Sequence, residues 1–212
     1  MSSEPGELAA PGVRKLAIMA IPAIVIGVVT ALVLWSLNQL ASLLQGVLWT
    51  SIPTALGISP SSPWVTIGVL TFTGLAVGLV VRYVPGHAGE DSATTELDSP
   101  PPPLRTVPSI ALAVLLSLAG GVSLGPENPI LAINAAIVVA VCAKFVKAVP
   151  PRIAVLLAMA GTLGALFGTP VAAALVLTGT VAAVRGGGSV WDKLFLPLAS
   201  AGAGAVTMHL LG

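Results

Sequence analysis

Charge is what this sequence lacks. Its 212 residues include eight acids and nine lysines or arginines, 8% charged in all, where a soluble domain carries about a quarter. So few charges exclude a chain wetted on all sides. No Asp, Glu, Lys or Arg occurs from Leu16 to Val81, a run long enough for two spans of about 20 residues each. Aromatic residues make up only 4%, and no basic tract is interleaved with them, which removes nucleic acid as a partner. A lone cysteine, Cys142, builds neither an internal disulfide nor a cysteine metal site, and reads as a small core residue. Two histidines, His87 and His209, lie far apart. With no HExxH or GxSxG motif and no paired carboxylates in any span, an intramembrane enzyme, a metal site and a cofactor have no residues to rest on. Glu4 and Glu7 ahead of Arg14-Lys15, with an overlong apolar run behind, also argue against a signal peptide.

What is present is apolar chain, 56% hydrophobic with a mean hydropathy of +1.01. Lipid is therefore its solvent, and the expected class is an all-α polytopic membrane protein. Residues 1–15 read as a polar cytoplasmic tail and 16–212 as the membrane domain. Gly and Pro divide that domain into predicted helices at 16–49, 64–83, 106–119, 127–147, 152–166, 170–184 and 191–211. Between the first two lies an uncharged turn at 51–63. The polar loop 85–105 holds four of the acids and ends in four prolines, which favour extended chain. Several segments are nearer 15 than 20 residues, as broken or re-entrant helices are.

All nine basic residues fall at Arg14, Lys15, Arg82, Arg105, Lys144, Lys147, Arg152, Arg185 and Lys193, and the turns at 50–63, 120–126 and 167–170 have none. Placing every basic turn in the cytoplasm gives a consistent path in the plasma membrane, N-terminus inside and C-terminus outside. So complete a bias argues against pairing with an inverted copy of the same chain.

One acid stands apart. In GGVSLGPENPILAINAAI (120–137), Glu127 is the only charge between Arg105 and Lys144, and prolines flank it at Pro126 and Pro129. A carboxylate at membrane depth costs at least about 2.5 kcal/mol, so it must carry a proton, meet a partner or face water. Gly125 and the two prolines predict a helix starting at 126–129. Its free amides and dipole would attract either that carboxylate or an anion replacing it. The plainer alternative is that Glu127 only caps its helix.

Gly125-Pro126-Glu127-Asn128-Pro129 resembles the glycine-x-glutamate-x-proline motif of the CLC family of chloride channels and proton/chloride antiporters. AVLLAMAGTLGALFGTPVAAALVL (154–177) and GLAVGLVVRYVPGHAG (74–89) are similar to two further family segments, in family order. The resemblance covers roughly 64–185 and implies the first inverted repeat of a CLC subunit. It makes Glu127 the gating glutamate. Chloride or another small anion would be held by backbone at the helix N-terminus, around Gly125, Pro126, Asn128, Pro129, Ile130 and Leu131. Ser92 stands as the inner contact, although AGEDSATTE replaces the family's GSGIP loop. The antiporters' inner glutamate is replaced by Thr178-Gly179-Thr180, which favours a passive channel or a differently coupled exchanger. The resemblance further implies a homodimer through 152–211, where Gly164-x-x-x-Gly168 would permit close helix approach between subunits or within one. A second CLC-like half is expected as a partner. The alternatives are a proton-coupled carrier of another solute and a half-protein that conducts nothing.

Overall fold

The computed structural model describes residues 13–89, 101–122, 127–146, 149–183 and 190–212, and every regular element among them is helical. The elements are α1 (Val13–Gly46), a π-helical segment (Val47–Ser51), α2 (Ile52–Ala55) and α3 (Pro63–Tyr83). After a 3-10 turn (Leu104–Thr106) come α4 (Val107–Ala119), α5 (Glu127–Phe145), α6 (Pro151–Phe167), α7 (Pro170–Ala183) and α8 (Val190–Leu211).

Proline sets most of these starts. It occupies one of the first two helical positions of α2, α3, α4 and α6 and the first residue of α7. There its missing N–H costs nothing and its φ suits a helix. Where proline falls inside a helix, as Pro22 in α1 and Pro197 in α8, the chain continues, as apolar spans commonly do. One boundary differs from expectation. The turn predicted at 51–63 is helical through Ala55, because the π segment carries α1 directly into α2. Pro53 falls in the first turn of α2, where proline favours a helix.

Among the described residues four stretches are long and apolar enough to cross a membrane: Ile18–Ala55, Pro63–Tyr83, Asn128–Phe145 and Lys193–Leu211. The protein is therefore an integral membrane protein. The shorter helices include α6, whose 17 residues reach only about 25 Å at 1.5 Å per residue. α3 is dressed for lipid. Ile67, Leu70, Phe72, Leu75 and Leu79 are exposed along it, with Trp64 77% exposed at one end and Tyr83 69% exposed at the other. These rings stand nineteen residues apart, about 28 Å, close to the hydrocarbon thickness, the separation expected of aromatic residues at the two membrane surfaces. Arg82 stacks 5.7 Å from the Tyr83 ring, and Lys144 5.3 Å from Phe145 at the end of α5.

The chain forms two compact units, one of residues to Leu32 plus 148–212, the other of 33–147. In the first, α6 is the central helix, with Ala154, Leu157, Ala158, Ala160, Gly161, Leu163, Gly164 and Ala165 all buried. It packs on both α7 and α8. Small residues permit this closeness. A Cβ on Gly161 would lie 2.9 Å from both the Gly27 Cα and the Ser200 Oγ, and one on Gly164 would overlap the Ala201 backbone. Hydroxyls in the seam stay paired: Ser200 Oγ donates to the Leu157 carbonyl at 2.8 Å and Thr162 to that of Ala158 at 2.7 Å. Gly164-x-x-x-Gly168 thus divides into two roles. Gly164 is an internal contact with α8, while Gly168, at φ +65°, ends α6 in the left-handed conformation that suits glycine.

Candidate functional site

In the second unit α3 packs on α4, and α4 on α5. α4 is held at both ends. Against its start lies the turn after α3, in which four successive residues take positive φ: Gly86 (103°), His87 (50°), Ala88 (61°) and Gly89 (85°). Two of them are not glycine, so the turn is strained and needs outside support. Ser109 supplies it, being fully buried, accepting the Ala88 N–H at 3.2 Å and donating to the Thr106 carbonyl at 2.8 Å. His87 Nδ1 lies 2.7 Å from the Val81 carbonyl and caps the end of α3.

At its far end α4 stops in a Schellman turn. Gly120 N–H bonds to the Leu116 carbonyl (2.9 Å), Gly121 N–H to that of Leu118 (3.0 Å) and Val122 N–H to that of Ser117 (3.0 Å). Gly121 takes φ +76°. The remaining carbonyl of the last turn, Ala119, accepts a 3.0 Å bond from Trp49 Nε1 in the π segment. Every carbonyl from 116 to 119 is therefore satisfied. Thr73, 3% exposed on α3, closes against Gly120 so tightly that a Cβ there would overlap its side chain.

Beyond the break, α5 begins at Glu127, within the predicted 126–129. The first amides of a helix lack intrahelical acceptors. With prolines at 126 and 129, those left are Glu127 and Asn128. Asn128 is exposed and Pro129 half-buried, whereas Ile130 is 0% and Leu131 8% exposed. Gly125, Pro126, Ser92 and the Glu127 side chain lie outside the described residues. Further along α5, Asn134 is 1% exposed. The sequence reading missed it, although a polar residue in an apolar span was a usable signal. It also missed Trp49, Thr73 and Ser109, which only contact between distant segments reveals. Thr178 spends its hydroxyl on its own helix, donating to the Ala174 carbonyl at 2.5 Å. Among the described residues no group of three or more His, Cys, Asp or Glu side chains converges.

The comparisons with known proteins point one way. The family model described as voltage gated chloride channel matches residues 73–210. The chain is 47% identical over 202 residues to YfeO of Escherichia coli O1:K1 / APEC, named as an ion-transport protein whose role is marked provisional. It is 48% identical over 202 residues to the protein of that name from Shigella boydii serotype 4 (strain Sb227). Each match covers 94% of this chain and 48% of the relative, so the chain spans about half the length of the curated relatives it matches. No solved structure matches it.

Proposed function

The chain belongs to the voltage gated chloride channel family, and from that premise we propose that it forms one half of an anion path gated by Glu127. The observation that carries this reading is the start of α5 at Glu127 itself. An acid at the first position of a membrane-length helix sits where the helix dipole and free amides favour negative charge. An anion, chloride by family, competes with that carboxylate for the same amides. Protonation releases the carboxylate and opens the path. Gly125, Pro126, Asn128, Pro129, Ile130 and Leu131 shape the anion site, and Ser92 is the inner contact.

Membership of a transport family supports ion movement rather than catalysis, and Thr178-Gly179-Thr180 in place of a carboxylate favours a passive channel or a differently coupled exchanger. The basic residues at described helix ends support a cytoplasmic N-terminus in the plasma membrane. Arg82 lies in the last turn of α3, Lys144 in the last turn of α5 and Arg152 in the first turn of α6. The domain reading is a polar tail at 1–15 and a membrane domain at 16–212. A relative twice as long supports a second CLC-like half as partner, and the family supports a homodimer of the whole.

The test is chloride efflux from liposomes carrying the full chain, wild type against Glu127→Gln, across external pH. The amide mimics the protonated gate, so flux in the variant is expected to be independent of pH. Unchanged pH dependence would remove Glu127 from the gate.

A further inference from the structure

We infer that the polar face of α1 formed by Asn38, Ser42 and Gln45 is the docking surface for a membrane helix of a second CLC-like half, a role that rests on the second-half reading above. The three recur at helical spacing and so share one face, with Gln39 beside them. All four are exposed. Leu40, Leu43 and Leu44, exposed as well, take the opposite face. Polar and apolar side chains are thus sorted as on a helix that meets lipid on one side and protein on the other.

Depth turns that sorting into a requirement. On α3, Thr73 stands midway between Trp64 and Tyr83, and Gly120 closes against it. Trp49 donates to the neighbouring Ala119 carbonyl, so Trp49 lies near the middle of that span. The charge-free stretch 18–37 precedes the polar face on the same helix, and Trp49 follows it. Residues 38–45 are therefore held at membrane depth, where a bare amide is costly and a hydrogen bond across helices removes the cost. The flanks show the same gap. Leu34, one turn back on this face, is 1% exposed and Trp49, just beyond it, is half-buried, so the face is covered at both ends and open where it is polar. Trp35, at its edge, holds a buried indole N–H that has no acceptor.

The occupant follows from chemistry and from length. Asn, Gln and Ser offer donors and acceptors without charge, which suits the hydroxyls, amides or open carbonyls of another helix rather than a headgroup phosphate. The relatives carry about as much chain again as this one covers, and that portion supplies the helix.

The test is photo-crosslinking in membranes that hold the full chain together with the half of the Escherichia coli O1:K1 relative that it does not match, that half carrying an affinity tag. Ser42→benzoylphenylalanine is expected to form an adduct with the tagged half. Leu75→benzoylphenylalanine, on the exposed face of α3, is expected to form none. Asn38→Leu combined with Gln45→Leu should reduce the co-purified half about three- to tenfold, the worth of two hydrogen bonds between membrane helices. The same double variant alone, relieved of bare amides, should unfold at no lower temperature than wild type. A half that co-purifies with wild type while position 42 joins only lipid, or only a second copy of this chain, overturns the docking face and leaves the second half standing as partner. A half that does not co-purify with wild type overturns both.

Discussion

Gly164 of α6 lies so close to the Ala201 backbone of α8 that a Cβ on it would overlap the Ala201 carbonyl. Lipid tails are as apolar as leucine, so membrane helices gain little from hydrophobic sorting and depend on close packing instead. Gly164→Ala is expected to cost at least about 2 kcal/mol, since the clash is with backbone that has nowhere to move. Gly202→Ala, with nothing within 4 Å of its would-be Cβ, is expected to stay within about 0.5 kcal/mol of wild type. Unfolding in graded SDS measures both, and equal midpoints for the two variants would refute the packing account.

The contact between Thr73 and Gly120 calls for a double-mutant cycle. Gly120→Ala forces a methyl into the Thr73 side chain, and a β-branched residue on a helix has little rotamer freedom to yield. Gly120→Ala alone is expected to lose about 1–3 kcal/mol. In a Thr73→Ala background most of that loss should vanish, giving a coupling energy above about 0.5 kcal/mol. Additive losses would show that the two do not press on each other.

Backbone strain in the turn after α3 makes one substitution stabilising. Ala88 holds φ +61°, a conformation that glycine adopts without penalty. Ala88→Gly is expected to raise stability by about 0.5–1 kcal/mol, while Ala88→Val should lower it by at least 1 kcal/mol. Thermal unfolding followed by size-exclusion in detergent orders the three proteins. A glycine variant less stable than wild type would refute the strain.

The orientation has a direct chemical test, because Cys142 is the sole cysteine and is buried. Cys142→Ala provides a cysteine-free background. Ser61→Cys, in the exposed turn after α2, is expected to react with a membrane-impermeant maleimide from outside the cell. His87→Cys, in the exposed turn after α3, should react only once the membrane is opened. The reverse pattern would invert the topology read from the lysines and arginines.

Most of the helix pattern was already written in the chain. The charge-free run from Leu16 to Val81 determined membrane residence, since no other solvent accepts it. The prolines at 63, 151 and 170 set helix starts by their fixed φ, and Glu127 between two prolines marked both the start of α5 and the candidate site. The π segment was not legible, and the turn after it came out shorter than expected, because Val47–Ser51 reads locally like the helix on either side.

Only the tertiary structure decided what the glycines do and which side chains meet. Gly164 and Gly168 look alike in sequence, yet one is a contact with α8 and the other a left-handed cap. Trp49 finds Ala119, Thr73 finds Gly120, and Ser109 finds the Ala88 amide over separations from 21 to 70 residues. Composition and periodicity describe what one segment prefers by itself. A hydrogen bond or a close approach between distant segments depends on where both have been carried, and that is settled only when the helices pack.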